Sequence, residues 1–234
     1  MSNLSIVLCT YNEASNINQA LTKLVNKNSI KEIIIIDDNS TDGTADIIKS
    51  LNNNKIRLFV RKNTKGFASA FIFGIIVSQG DYILRFDVDM FDEIDFFLDS
   101  FEKHKDRDCV IFSRYVVNGD DLRSHYRKLP SLILNKTCQY LLSSKIKDYT
   151  SCIMFFKRNL LSDIFPQNSY YANFIIEFVF SLIIKKKNYL EVGFVQKTIT
   201  EQNSKSAPNK LKFFKNGFFY LITIFKCVLL KIKN

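Results

Sequence analysis

The chain has 234 residues, 47% hydrophobic and 24% charged, enough to bury a sizeable core, which excludes disorder, collagen and coiled coil. Seven Gly and three Pro against 22 Phe and 10 Tyr leave little room for flexible linkers. Net charge is +10, and residues 181–234 hold eleven lysines against only Glu191 and Glu201, so the basicity belongs to the last quarter of the chain.

The opening MSNLSIVLCTYNEAS has no basic stretch leading into a long apolar run, so no secretory leader is expected. Residues 4–9 read as a buried strand, and Ala14–Val25 sets Ile17, Leu21, Leu24 and Val25 on one helical stripe. Four consecutive Ile at 33–36 predict a central strand, with Ser40 or Thr41 capping the next helix and Asp42 in its first turn. Ile56–Val60 is a third strand, Phe67–Val77 a third helix and 82–86 a fourth strand. This βαβαβαβ order predicts an α/β fold with a mostly parallel, doubly wound sheet and flanking helices, with ligands at the carboxyl ends of the strands. Beyond it come a helix at 94–101, a strand at 110–113, an amphipathic helix at 129–142 and a strand at 151–156. Phe174–Ile184 is a strongly apolar helix, 189–195 a last strand and 200–209 a mobile loop.

The tail after that loop mixes lysines with an apolar band at 218–230 that is too short to span a bilayer. Such a band differs from the singly interleaved aromatics of nucleic-acid grooves, so no nucleic-acid partner is expected. The predicted tail is an amphipathic helix on an anionic membrane surface, or else a helix packed on the domain. The five cysteines (Cys9, Cys109, Cys138, Cys152, Cys227) form no CxxC pair and no Cys/His cluster, which argues against structural zinc and fits a reducing cytosol.

The acidic residues gather where strands end. Asp37 and Asp38 close the second strand, Asp87 and Asp89 the fourth, so four carboxylates are expected at the ligand edge. A DxD pair suits a hard divalent ion, Mg²⁺ or Mn²⁺, held against a diphosphate. Neither GxxxxGK[ST] nor GxGxxG occurs, and His104 and His125 are unpaired, so Walker, dinucleotide and Ser/His/Asp chemistry have no support.

The runs SIVLCTYNEASNI, IIIIDDNSTDGTADI and RKNTKGFASAFIFGIIVSQGDYILRFDVDM resemble the nucleotide-sugar half of family 2 glycosyltransferases of the GT-A (Rossmann-like) fold. SRY at 113–115, YRKLPSLILN at 126–135, DYTSCIMFFKRNLL at 148–161 and NSKS at 203–206 are similar to the polyprenyl-phosphate branch, which includes dolichyl-phosphate mannose synthases. The resemblance covers residues 4–212. It implies that Thr10, Tyr11, Glu13 and Asp38 line the nucleotide pocket, with Asp87 at the nucleotide sugar and Asp87 and Asp89 holding the metal. It likewise implies that Arg114, Arg127 and Ser131 contact the acceptor phosphate and that Ser204 and Lys205 belong to an active-site loop. Independently, Arg127 and Ser131 are four apart on a predicted helix, and arginine forks suit a phosphate.

The sequence departs from the branch at three places. Phe91 stands where a third side-chain ligand is expected, with Asp92 or water as substitutes; Cys152 replaces the Gly of TSG; and Lys197 is the nearest base where an Arg is expected before Ser204. The expected layout is residues 1–92 for the nucleotide sugar, 93–200 for the acceptor, and 201–234 for the mobile loop and basic tail. The expected activity is a metal-dependent, inverting transfer of a hexose from a nucleotide diphosphate sugar to a polyprenyl phosphate. It would take place at the cytosolic membrane face, with the protein peripheral there. A sugar-hydroxyl acceptor is the alternative on the same fold and needs a carboxylate base, for which Asp148 and Glu177 are the candidates. A non-catalytic nucleotide-sugar or membrane-binding module is the alternative of another class.

Overall fold

The computed structural model describes residues 3–165, 172–197 and 210–233. The predicted loop at 200–209, with Ser204 and Lys205, lies outside the described residues. In chain order the elements are β1 (Leu4–Thr10), α1 (Ala14–Val25), β2 (Ile30–Asp37), α2 (Thr44–Ser50), β3 (Ile56–Val60), α3 (Phe67–Val77) and β4 (Tyr82–Arg85). A 3-10 turn (Val88–Glu93) leads into α4 (Ile94–His104), then β5 (Cys109–Ser113), β6 (Asp120–Asp121) and α5 (His125–Leu141). β7 (Met154–Lys157), α6 (Phe174–Ile184), β8 (Tyr189–Gly193), β9 (Val195–Gln196) and α7 (Lys210–Lys233) complete the chain.

Two compact units divide these elements: residues 1–108 with 153–161, and residues 109–152 with 162–234. The break differs from the sequence division at 92 and 200, for two physical reasons. β7 returns to pair antiparallel with β4, placing Ile83 opposite Phe156. α7, for its part, buries Ile224 and Cys227, so it belongs to the second unit rather than standing apart as a tail.

In the first unit the strands run in the order β3-β2-β1-β4-β7, parallel except for β7. Ile33, Ile34, Ile35 and Ile36 are all fully buried, as a strand covered on both faces requires. The helical stripe of α1 turns Ile17, Ala20, Leu21 and Leu24 inward. The cap of α2 differs from the expectation. Gly43, at φ 90°, precedes the helix, while Asp42 accepts the Thr44 N–H at 3.1 Å and Ser40 serves the neighbouring turn instead. Only a residue at ease in the left-handed region starts a helix from that geometry.

In the second unit β5 and β8 pair in parallel. The predicted strand at 189–195 is interrupted after Gly193, where a Cβ would lie 2.2 Å from the Val117 carbonyl oxygen, and β9 then pairs with β6. The helix α5 begins four residues earlier than its apolar pattern, after Ser124, and continues through Pro130. On α7, Asn173 Nδ2 donates to Thr223 Oγ1 at 2.8 Å, fixing the inner face of the helix.

Candidate functional site

At the carboxyl edge of β2 the structure commits both Asp37 and Asp38 to bonds within the protein. Asp37 is fully buried and accepts from Thr10 Oγ1 at 2.8 Å and from the Ser40 N–H at 2.8 Å. It therefore shapes the turn and does not face a ligand, which corrects the expectation of four converging acids. Thr10 is buried in the same contact. Asp38 accepts from Arg61 Nε at 2.7 Å and from Arg61 Nη2 on one oxygen, and from the Gly66 N–H at 2.7 Å on the other. These bonds join the end of β3 to the start of α3, where Gly66 at φ 138° provides the turn.

Around them, Tyr11 is partly exposed with Lys65 Nζ 4.7 Å from its ring centroid, a cation–π contact. Glu13 precedes α1, its backbone N–H bonded to Thr44 Oγ1 at 2.8 Å and its carboxylate accepting from Asn16 at 3.1 Å. The partners of Arg61 and Lys65 were not legible in the sequence, because both contacts join residues far apart in it. The Cys9 thiol beneath this edge is pushed up to about 12, by burial first and then by Asp87 and Asp38 against the pull of Arg85 and Arg61. A thiol so raised stays protonated at neutral pH.

Asp87 follows β4 and precedes the 3-10 turn that carries Asp89. Asp87 is half-exposed and accepts from Arg85 Nη2, while Arg85 itself is buried with its guanidinium 4.4 Å from the Phe67 ring centroid. Asp92 is turned away onto α1, paired with Lys23 at 2.9 Å, and Lys23 also lies over the Phe91 ring. Position 91 thus supplies no side-chain donor atom, and Asp92 pairs with Lys23. Among the described residues no group of three or more His, Cys, Asp or Glu could hold a metal ion. Asp87 and Asp89 fit a hard divalent ion as two oxygen donors that leave the remaining positions to water or to a diphosphate.

The second unit carries a buried polar network. Arg114, 6% exposed, donates from Nε to Asp148 Oδ2 at 2.8 Å and from Nη2 to Asp148 Oδ1 at 2.7 Å. Its Nη2 also reaches Thr150 Oγ1 at 2.7 Å, and its Nη1 lies 3.6 Å from Asp121 Oδ2. Arg114 thus ties Asp148, Thr150 and Asp121 together. Burial would raise Asp148 and Asp121, but Arg114 pulls the first below the usual carboxylate range and Arg123, with Arg114, does the same to the second. Ser131 Oγ accepts from Tyr115 Oη at 3.2 Å and lies 3.4 Å from Thr150 Oγ1, and Asn135 Nδ2 donates to Thr150 Oγ1 at 2.8 Å. Arg127 is half-buried one turn before Ser131, and no described residue hydrogen-bonds or ion-pairs with its side chain. Tyr115, Thr150 and Asn135 lie in runs that carry the family resemblance, but the sequence did not single them out as site residues. Glu177, raised by burial and opposed by Lys226, sits on α6 facing α7.

Two helices of this unit expose apolar stripes. On α5 these are Tyr126, Leu129, Ile133 and Tyr140; on α7 they are Phe218, Leu221, Phe225, Leu229 and Ile232. Neither helix contains an acidic residue, and Lys136, Lys226 and Lys231 are exposed on them. No helix among the described residues is long and apolar enough to cross a membrane.

The profile of glycosyl transferase family 2 matches residues 5–165. An uncharacterised glycosyltransferase of Haemophilus influenzae is 34% identical over 91 residues, 38% of this chain and 36% of that protein. A dolichol-phosphate mannosyltransferase of Saccharomyces cerevisiae is 31% identical over 93 residues, 37% of this chain and 35% of that protein. A dolichyl-phosphate beta-glucosyltransferase of Dictyostelium discoideum is 31% identical over 185 residues, 70% of this chain and 56% of that protein. The chain thus spans from about a third to just over half of the length of these curated relatives. Among solved structures, glucosyl-3-phosphoglycerate synthase from Mycobacterium tuberculosis, crystallised with Mn²⁺, UDP-glucose and phosphoglyceric acid, superposes with a TM-score of 0.71. It is 13% identical, with 97% of this chain and 80% of that one covered, a likeness that carries the fold alone. With a mostly parallel GT-A-like sheet, flanking helices and a family profile across most of its length, the chain belongs to glycosyl transferase family 2.

Proposed function

We propose that this glycosyltransferase moves a hexose from a nucleotide diphosphate sugar to a polyprenyl phosphate, with inversion, while resting on an anionic membrane surface. The observation that carries the acceptor class is the state of the carboxylates around Ser131. Asp121 and Asp148 are both bonded to arginines and held below their usual range, so they are poor proton acceptors. A sugar hydroxyl needs a base within hydrogen-bond reach. A phosphate oxygen is already an anion and needs none, and Arg127 with the hydroxyls of Ser131 and Tyr115 offers what such a group takes. Glu177, the other candidate base, faces α7.

On the donor side, Tyr11, Glu13 and the Asp38–Arg61–Gly66 clasp would seat the nucleotide, with Thr10 and Asp37 holding the turn beneath. Asp87 and Asp89 would hold Mg²⁺ or Mn²⁺, which when bound neutralises charge on the departing diphosphate. Ser204 and Lys205 keep the role that the resemblance implies, in the segment before α7. The exposed stripes of α5 and α7, with their lysines, suit the surface of an anionic bilayer. In the test, Asp89→Ala should abolish transfer and metal-dependent binding of the nucleotide sugar, with an unchanged circular dichroism spectrum. Transfer by the wild-type protein that persists in EDTA would remove the metal from this reading.

A further inference from the structure

We infer that Arg85 is a positioning residue that competes with the divalent ion for Asp87, so that the donor site takes up metal weakly until the diphosphate arrives. The inference rests on the proposed metal role of Asp87 and Asp89. A buried arginine two residues before a strand-end carboxylate is an uncommon place for a charge, because an unpaired buried guanidinium is strongly disfavoured. Here it is doubly held. Its Nη2 donates to Asp87 Oδ1, and its face lies 4.4 Å from the Phe67 ring centroid at the start of α3, with the side chain only 4% exposed. One oxygen of Asp87 is therefore already bonded to a cation that cannot swing into solvent. A divalent ion approaching Asp87 meets a carboxylate whose charge is partly balanced and must displace a charge-assisted hydrogen bond to gain both oxygens. Phe91 brings no side-chain donor, Asp92 pairs with Lys23, and among the described residues no group of three or more His, Cys, Asp or Glu could hold the ion. A diphosphate changes the balance, because it supplies oxygen ligands to the ion and takes up the field of the fixed guanidinium.

Mn²⁺ electron paramagnetic resonance on the intact protein without nucleotide reads this directly. Arg85→Met should tighten Mn²⁺ binding by about tenfold or more, the scale of one charge-assisted hydrogen bond. Arg85→Lys, which keeps the cation, should restore the wild-type affinity. Phe67→Leu removes the stacking partner while leaving every charge in place, and should tighten Mn²⁺ in the same direction by less, which keeps the test open should Arg85→Met fail to fold. Equal affinities in wild type, Arg85→Met and Phe67→Leu would overturn the inference, as would weaker binding in Arg85→Met, which would make Arg85 an aid to the metal. Asp89→Ala separates the two readings: saturable Mn²⁺ binding lost in Asp89→Ala keeps the metal site even where Arg85 proves irrelevant. Saturable binding unaffected by Asp89→Ala, or absent from every variant, would overturn both.

Discussion

Arg114 and Arg127 show how one residue type takes two roles in one network. Arg114 lies beneath the surface with both carboxylate oxygens of Asp148 on its fork, and Arg127 stands half-buried with no side-chain partner among the described residues. Removing one half of a buried pair leaves the other charge without compensation. Asp148→Asn should therefore cost about 3–5 kcal/mol in chemical denaturation, whereas Arg127→Ala should leave stability nearly unchanged. In kinetics the order reverses. Arg127→Ala should weaken use of the acceptor phosphate by about 1–3 kcal/mol and leave nucleotide affinity as it was. A loss of nucleotide affinity would move Arg127 to the donor side. The pH dependence has a definite sign. Asp148 and Asp121 are held below the ordinary value of 3.8, so their pairs stabilise the fold above that value, and the contribution is lost as pH falls through their lower folded values. Between pH 5 and 8 these two groups should add no slope to stability, which a pH series of denaturation midpoints in wild type and Asp148→Asn checks.

Among the elements, α7 joins two demands that the sequence presented as alternatives. Ile224, Cys227 and Thr223 form its buried face, while Phe218, Leu221, Phe225, Leu229 and Ile232 form the outward stripe, so the helix both packs on its unit and shows an apolar face. Truncation after Asn209 should consequently destabilise the second unit rather than simply free a tail. Ile224→Ala should cost about 2–5 kcal/mol, the range for truncating a buried aliphatic side chain. Phe225→Glu should leave the melting temperature within a degree or two of wild type and reduce sedimentation with anionic liposomes. Equal liposome binding by Phe225→Glu and wild type would remove the outward stripe from the membrane account. The helices α1, α3 and α6 and the strand β3 were legible to the residue, because period and β-branching decide them locally. The break at Gly193 and the shift of the α2 cap to Gly43 were not, since they depend on the Val117 backbone and on which hydroxyl the turn claims. The same holds at the site. DxD, Asp38 and the Arg127/Ser131 spacing could be read from the sequence. The commitment of Asp37 to Thr10, of Asp38 to Arg61 and of Arg114 to Asp148 could not, because each bond joins residues more than twenty positions apart.

For the molecule as a whole, charge and architecture support a division of labour. Basicity concentrates in the last quarter of the sequence, where α7 lies, and the strand-end carboxylates proposed for the metal lie in the first unit. The proposed donor chemistry therefore draws on residues 4–89 and the proposed acceptor chemistry on residues 114–150 and the segment before α7. Loss of one chemistry should leave binding for the other intact: in equilibrium titrations Arg127→Ala should keep the wild-type affinity for nucleoside diphosphate, and Asp89→Ala should keep that for the polyprenyl phosphate. The central claim is that sugar passes to a lipid phosphate. Its most direct test incubates the protein with radiolabelled nucleotide sugars, a polyprenyl phosphate and Mn²⁺, and then partitions the products between water and organic solvent. The account predicts that label from one nucleotide sugar enters the organic phase as an acid-labile glycosyl phosphate, and that this label disappears in Asp89→Ala and falls in Arg127→Ala. Label that stays in the aqueous phase with polyprenyl phosphate, yet is transferred to a hydroxyl-bearing glycan acceptor, would contradict it.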